Sequence, residues 1–109
     1  MKLSLIVPCY NEEDNVEKFY EEVTKCFQGK IQEYEFIFIN DGSIDKTMKK
    51  LKEIYKNREK DNVRVIGFSR NFGKEAAIYA GMQQARGEYT TVIDADLQQR
   101  PEVVLQMVE

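Results

Sequence analysis

The 109-residue sequence contains no histidine and only two cysteines, Cys9 and Cys26. Without imidazole, a Ser-His nucleophile pair, a histidine metal ligand and a histidine base are all excluded. Two cysteines with no metal-binding spacing are too few for a disulfide framework or a zinc site, so we expect reduced thiols. Any chemistry must therefore use carboxylates, amides, lysine, arginine and the backbone.

Long apolar runs are also missing. No segment approaches the roughly 18 apolar residues of a membrane span, and the N-terminus lacks the apolar core of a signal peptide. The formal net charge of −3 provides no basic surface for nucleic acid. With 42% apolar and 32% charged residues, the composition predicts one soluble globular domain, which we expect in the cytoplasm.

Apolar segments that are typical of strands alternate with helical patterns along the chain. They cover residues 3–7, 34–39, 63–68 and 89–93. Pro8 is expected to end the first strand, and the fourth is expected to be buried. Strands that alternate with helices indicate right-handed βαβ units and a parallel sheet. The predicted fold class is therefore α/β.

Capping residues and glycines predict the helix boundaries. Asn11 is predicted to cap the first helix, which Gly29 ends, and Ser43 is predicted to cap the second. An alanine-rich third helix is expected over residues 75–86, and a last helix is expected to begin at Pro101. We expect these helices to flank the sheet.

Polar segments follow every predicted strand. They cover residues 8–12, 41–43, 69–74 and 94–98. Open parallel sheets bind ligands beyond the carboxyl ends of their strands. We therefore expect these loops to converge on one rim.

The residue types in these loops suit a nucleoside diphosphate. Asp41 can accept a hydrogen bond from a base ring N–H, and Tyr10 can offer an aromatic surface to the base. Arg70 or Lys74 can neutralise phosphate charge. No Gly-x-Gly-x-x-Gly follows the first strand and no P-loop motif exists, so dehydrogenase and P-loop folds are disfavoured.

Asp94 and Asp96 stand two residues apart at the end of the fourth predicted strand. Residues i and i+2 of an extended segment project to the same side, and Mg²⁺ or Mn²⁺ is bound by oxygen ligands together with substrate phosphates. The pair therefore predicts a divalent cation at a diphosphate. An isolated Asp-x-Asp is more often a capped turn, so on this pair alone the structural alternative stays open.

In sequence order, four segments resemble the successive motifs of family 2 glycosyltransferases: IVPCYNEE (6–13), NDGSIDKT (40–47), SRNFGKEA (69–76) and DADLQ (94–98). Within that family they are most similar to the polyprenyl-phosphate glycosyltransferases, the group of bactoprenol glucosyltransferase and dolichol-phosphate mannosyltransferase. The resemblance implies the N-terminal half of a GT-A fold, with a Rossmann-like sheet in the order 3-2-1-4. It also implies an enzyme that transfers a sugar from a nucleotide-diphosphate donor with inversion.

The same resemblance implies roles for individual residues. The base pocket would be lined by Pro8, Tyr10, Glu12 and Asp41. Asp94 would lie near the ribose or the metal, Asp96 would bind Mn²⁺ or Mg²⁺, and Gln98 would assist around the metal or diphosphate. The loop that holds Arg70 and Lys74 favours UDP-glucose over GDP-mannose.

The sequence departs from the family pattern in two places. Gln99 and Arg100 precede a single Pro101 where the family commonly has an acidic or histidine residue and a double proline. The chain also ends at Glu109, inside a predicted helix, so we expect residues 1–109 to be a truncated donor-binding part. No acceptor site or catalytic base is identified. In the strand order that the resemblance implies, the fourth strand would be an unprotected edge of the sheet, which predicts self-association.

In the full-length protein, the expected acceptor is a polyprenyl phosphate at the cytoplasmic face of the membrane. The alternatives are a non-catalytic nucleotide-binding or partner-binding α/β module, a receiver domain and a nucleotidyltransferase. A receiver domain needs an acidic pair after the first strand, and a nucleotidyltransferase usually has a glycine-rich loop there. The acidic residues Glu12 and Glu13 are not where a receiver domain needs its acidic pair, and the lysine it needs after the last strand is not in place either. Residues 8–13 also contain no glycine, so the loop of a nucleotidyltransferase is absent.

Overall fold

The computed structural model describes residues 3–57 and 62–96. Strands and helices alternate in the order β1 (Leu3–Cys9), α1 (Val16–Phe27), β2 (Tyr34–Asn40), α2 (Thr47–Asn57), β3 (Val63–Gly67), α3 (Lys74–Gln84) and β4 (Tyr89–Val92). The predicted helix from Pro101 lies outside the described residues. Within these two ranges, no helix has both the length and the apolar character needed to span a bilayer.

The strands form one parallel sheet in the order β3-β2-β1-β4. β1 pairs with β2 from Leu3 opposite Tyr34 to Cys9 opposite Asn40. All seven residues of β2 are buried, as expected for the centre of a parallel sheet covered on both faces. The predicted α/β class and strand order are confirmed.

Each face of the sheet is covered by apolar side chains. On one face, aromatic residues of β2 pack against α1, including Phe36 and Phe38 around Phe19. On the other face, α3 lies close to the strands because a Cβ at Gly81 would come within 2.6 Å of Ile6 Cγ2. Small residues of α3 therefore set its distance from the sheet.

A buried carboxylate, Glu35, joins several segments at the amino-terminal end of the sheet. Its Oε2 accepts hydrogen bonds from the Ser4 hydroxyl at 2.5 Å and the Arg86 backbone N–H at 2.8 Å. Its Oε1 accepts from the Arg64 guanidinium at 2.8 Å. Burial alone would raise the pKa of Glu35, but these hydrogen bonds outweigh it and lower the pKa below the usual range.

Pro8 lies inside β1, so the prediction that it ends the strand is wrong. Alternate residues of a parallel strand direct their backbone groups to opposite neighbours. Ile6 accepts a hydrogen bond from Ile93 N–H, so Ile6 and Pro8 both face the β4 side. β4 pairs only as far as Val92 opposite Ile6. The missing N–H of Pro8 therefore breaks no hydrogen bond of the sheet.

Two predicted helix caps are also wrong. α1 begins at Val16 rather than after Asn11, which adopts a φ of 54°. The Asn11 side-chain oxygen accepts from Ile44 N–H at 3.0 Å, and its own N–H donates to Ser43 Oγ at 2.9 Å. Asn11 and Ser43 therefore join the loops after β1 and β2. Gly29, with a φ of 76°, follows α1 as predicted.

Candidate functional site

The carboxyl ends of the strands border one cleft with a volume of about 390 Å³. Residues from the loops after all four strands line it: Pro8, Cys9, Tyr10, Glu12, Asp41, Asn71, Gly73, Lys74 and Asp94. The predicted convergence of these loops on one rim is therefore observed. Arg70 and Asp96 are not among the lining residues.

Asp41 organises the loop between β3 and α3. Its Oδ1 accepts from Phe72 N–H at 2.8 Å, and its Oδ2 accepts from Gly73 N–H at 3.0 Å and from the Asn71 amide at 3.2 Å. A carboxylate offers about four lone-pair directions, so roughly one, on Oδ1, stays available to a ligand. Asp41 is only 3% exposed. It therefore supports the neighbouring loop in addition to any hydrogen bond that it accepts from a base.

Gly42 allows the same two loops to touch. A Cβ at this position would lie 2.1 Å from the Arg70 carbonyl carbon and 2.2 Å from Asn71 N, and its φ is 69°. Both the contact and the backbone conformation require glycine. The backbone of the loop after β3 therefore packs directly against Gly42, just after the end of β2.

The loop after β1 is fixed to the start of α2. Glu12 N–H donates to Thr47 Oγ1 at 2.8 Å, and the Glu12 carboxylate accepts from the Asn15 amide at 2.9 Å. Asp45, rather than the predicted Ser43, accepts the Thr47 N–H at the start of α2, at 2.9 Å. Burial raises the pKa of Asp45, but hydrogen bonds from Thr47 and the Glu13 N–H outweigh it and lower the pKa.

Lys74 and Asp94 form an ion pair inside the cleft. Lys74 Nζ lies 2.9 Å from Asp94 Oδ1, and the two side chains are 59% and 38% exposed. Lys74 is the first residue of α3, and Asp94 follows the end of β4. A cation and a carboxylate are thus presented together to any anion or metal that enters.

The fourth strand differs from its prediction. Tyr89 and Thr90 are exposed, and Thr91 and Val92 are half-buried, because β4 lies at an edge of the described sheet. β4 ends at Val92, so Asp94 and Asp96 do not project from the same side of a strand. Asp94 reaches the cleft, while Asp96 lies exposed in the following turn. Gln98 lies outside the described residues.

A divalent cation suits the oxygen atoms at this end of the cleft. The Asp94 carboxylate forms an ion pair with the Lys74 ammonium. Carboxylate oxygen is also the ligand type that Mg²⁺ and Mn²⁺ prefer. Among residues 3–57 and 62–96, no three Asp, Glu, Cys or His side chains come together as a metal-binding group. In this part of the chain, Asp94 is therefore a candidate ligand without a complete metal-binding group around it.

Arg70 lies beside the cleft rather than in it. Its guanidinium carbon is 4.8 Å from the centre of the Phe72 ring, which also contacts the Phe68 ring edge-on. Phe72 is 52% exposed. In this conformation, Lys74 rather than Arg70 provides the positive charge of the cleft.

Cys9 lines the cleft without the properties of a nucleophile. Burial, with added repulsion from Glu12 and Asp94, raises the pKa of its thiol far above the usual range. Its Sγ donates to the Val7 carbonyl oxygen at 3.4 Å. Cys9 is buried and Cys26 is half-buried, and the structure joins neither of them in a disulfide.

Asn71 and Gly73 were not singled out from the sequence, although both line the cleft. Asn71 donates to the Asp41 backbone oxygen at 3.1 Å as well as to its carboxylate. Gly73 has a φ of 103°, which favours glycine. The sequence could have indicated both residues, because an asparagine and a glycine stand just before a helix that begins with a lysine.

A family model described as glycosyl transferase family 2 matches residues 4–109. A putative glycosyltransferase of Bacillus subtilis, CsbB, is 47% identical over 96 residues, which are 88% of this chain and 29% of that protein. The bactoprenol glucosyl transferase of Shigella phage SfV is 41% identical over 110 aligned residues, covering 100% of this chain and 35% of the relative. The chain spans about a third of the length of the curated relatives it matches.

Solved structures share the fold. A crystal structure of S. aureus TarS 1–349 in complex with UDP superposes with a TM-score of 0.74 at 29% identity, covering 88% of this chain and 28% of that chain. Mannosyltransferase PcManGT from Pyrobaculum calidifontis, in complex with GDP-Man and Mn²⁺, gives a TM-score of 0.80 over 99% of this chain and 32% of that chain. At 19% identity, the second likeness concerns the fold alone.

Proposed function

The chain belongs to glycosyl transferase family 2 and has the Rossmann-like sheet of GT-A enzymes; on this premise we propose that residues 1–109 are the donor-binding part of a longer, inverting, metal-dependent glycosyltransferase. The donor is a nucleotide-diphosphate sugar. The observation that carries the proposal is the cleft at the carboxyl ends of the strands, where Asp41 and the Lys74–Asp94 pair face the same space.

In this proposal the nucleoside lies between the loops after β1 and β2. Pro8, Tyr10 and Glu12 line that side of the cleft, and Tyr10 is 47% exposed and can stack on a base. The remaining Oδ1 lone pair of Asp41 accepts a base ring N–H. Because the other Asp41 bonds are made within the protein, the acceptor is held in place before the nucleotide arrives.

The diphosphate lies toward Lys74 and Asp94. The Lys74 ammonium donates to phosphate oxygen, and Arg70 reaches the same charge from the neighbouring position if its side chain leaves Phe72. Asp94 and Asp96, with Gln98 as a further ligand, would hold Mn²⁺ or Mg²⁺. A bound divalent cation would stabilise the negative charge that develops on the departing diphosphate.

The proposed reaction is a single displacement. An acceptor oxygen attacks the anomeric carbon, the bond from that carbon to the diphosphate oxygen breaks, and the nucleoside diphosphate leaves. We propose a polyprenyl phosphate as the acceptor, at the cytoplasmic face of the membrane; a relative named bactoprenol glucosyl transferase supports this. A phosphate with a second pKa near 6 is largely ionised at pH 7, so a strong base is less necessary, and the sequence contains no histidine.

We favour UDP-glucose as the donor. The loop of residues 69–74 supports this choice, and so do a glucosyl transferase at 41% identity and the structure of TarS with UDP. The donor is tested by calorimetric titration with UDP, UDP-glucose and GDP-mannose, with and without Mn²⁺. We expect binding of the uridine ligands with Mn²⁺ and weaker binding of GDP-mannose.

Asp94→Asn should weaken UDP binding with Mn²⁺ by about tenfold, the effect of one lost charge-assisted contact. Asp14→Asn is the matched control, because Asp14 is exposed and does not line the cleft. Absence of UDP binding by the wild-type chain, even with metal, contradicts the donor-site proposal.

We also propose that the 109-residue chain self-associates through β4. β4 lies at an edge of the described sheet and is partly exposed. The outer backbone groups of an edge strand pair readily with another chain.

A further inference from the structure

Lys74 and a metal ion would compete for Asp94, because an ammonium and a divalent cation would bind the same carboxylate. Resting on the proposed function, we propose that Lys74 pairs with Asp94 before ligands bind and moves to the diphosphate when nucleotide and metal bind together. Lys74 thus contacts the diphosphate directly and couples metal binding to nucleotide binding.

The position of Lys74 supports a role in the cleft rather than in the helix. It is the first residue of α3, where a positive charge is unfavourable to the helix dipole. The preceding Gly73 is fixed by its hydrogen bond to Asp41. The helix dipole disfavours a positive charge at Lys74, and the glycine before it is fixed by a hydrogen bond. The position of Lys74 is therefore better explained by an anion that its ammonium binds in the cleft.

The ion pair can exchange its partners. The Lys74 side chain is 59% exposed, and its flexible stem allows the ammonium to reach other oxygen atoms in the cleft. The start of α3 also directs backbone N–H groups and the positive end of the helix dipole outward, which favours an anion there. A diphosphate therefore offers the ammonium a second set of oxygen partners near the first.

The expected consequence is that the effect of Lys74 on metal affinity reverses when a nucleotide is bound. Without nucleotide, Lys74 competes with the metal for Asp94 and lowers metal affinity. With a diphosphate present, Lys74 bonds phosphate and raises affinity for the nucleotide–metal pair. Metal and nucleotide should therefore bind with positive cooperativity that depends on Lys74.

The test measures free Mn²⁺ by electron paramagnetic resonance in titrations of the wild-type chain, Lys74→Met, Lys74→Arg and Lys52→Met. Without nucleotide, Lys74→Met should bind Mn²⁺ about two- to fivefold more tightly, the range expected for a partly exposed ion pair. With Mn²⁺ present, the same variant should bind UDP about tenfold more weakly by calorimetry. Lys74→Arg keeps the charge and should stay close to wild type in both measurements.

Lys52→Met is the matched control, because Lys52 is an exposed lysine of α2 that does not line the cleft. It removes the same charge from the chain and should change neither affinity more than twofold. Unchanged or weaker Mn²⁺ binding by Lys74→Met in the absence of nucleotide overturns the inference, including when neither chain binds Mn²⁺. If the wild-type chain binds UDP with Mn²⁺ in that case, the donor site stands and only the coupling fails.

Discussion

The Asp41 carboxylate accepts a 3.0 Å hydrogen bond from the backbone N–H of Gly73, 32 residues further along the chain. This contact ties the end of β2 to the start of α3 and sets the position of Lys74. A residue that the sequence marks as a ligand for a base is therefore also the support of the neighbouring loop.

Asp41→Asn should weaken both the fold and the cleft. An asparagine amide presents N–H groups where Phe72 and Gly73 already donate, so one partly buried backbone donor loses its acceptor. We expect a loss of about 1–3 kcal/mol in the free energy of unfolding, measured by urea denaturation, together with weaker UDP binding. Wild-type stability in this variant contradicts the structural role.

Gly42→Ala should destabilise the chain more than Gly29→Ala. Both glycines have positive φ, 69° and 76°, but a Cβ meets backbone atoms only at Gly42 and nothing within 4 Å at Gly29. We expect a cost of about 1 kcal/mol at Gly29 for the left-handed conformation and about 1–3 kcal/mol more at Gly42 for the clash. Urea denaturation compares them directly, and equal losses would show that the loop moves away freely.

Glu35→Gln should remove part of the acid sensitivity of folding. The pKa of Glu35 is lowered in the folded chain, so its stabilising contribution is complete above the unfolded pKa of about 4.3. That contribution is lost as the pH falls through the lower folded pKa. At pH 7 the variant should lose about 1.5–3 kcal/mol, because the hydrogen bonds from Arg64 and Arg86 to a charged, buried carboxylate become bonds to a neutral amide.

The difference between wild type and Glu35→Gln should therefore shrink as the pH falls below about 5, where the unfolded carboxyl begins to bind a proton before the folded one. Urea denaturation across this range measures it. Glu88→Gln, at an exposed position, is the control and should follow the wild-type curve at every pH. A difference that stays constant with pH contradicts the assignment to Glu35.

Thr90→Pro should reduce self-association without unfolding β4. Ile93 N–H donates to β1, so Tyr89 and Thr91 face β1 as well, and the Thr90 N–H points away from the sheet. Proline there removes an outward donor only. Light scattering at high concentration should show a wild-type chain larger than a monomer and a smaller variant. A monomeric wild-type chain is inconsistent with the proposal.

Patterns along the sequence predicted the elements but not all of their ends. The central strand β2 was predicted nearly to its last residue, because a run of aromatic and β-branched residues can only be accommodated between two covered faces. Pro8 was misjudged because the cost of a missing N–H depends on the strand beside it, and β4 stops before reaching Pro8. Asn11 and Ser43 carry good capping side chains, yet each bonds the other loop.

The sequence alone determined the class of fold, the family and the four polar loops that meet at one rim, because periodicity and ordered motifs are local properties of the chain. The tertiary structure decided which of those polar side chains share the cleft. It placed Lys74 on Asp94, added Asn71 and Gly73, and left Arg70 on Phe72. These outcomes depend on distances between residues of different loops, which are fixed only when the strands pair and the loops pack together.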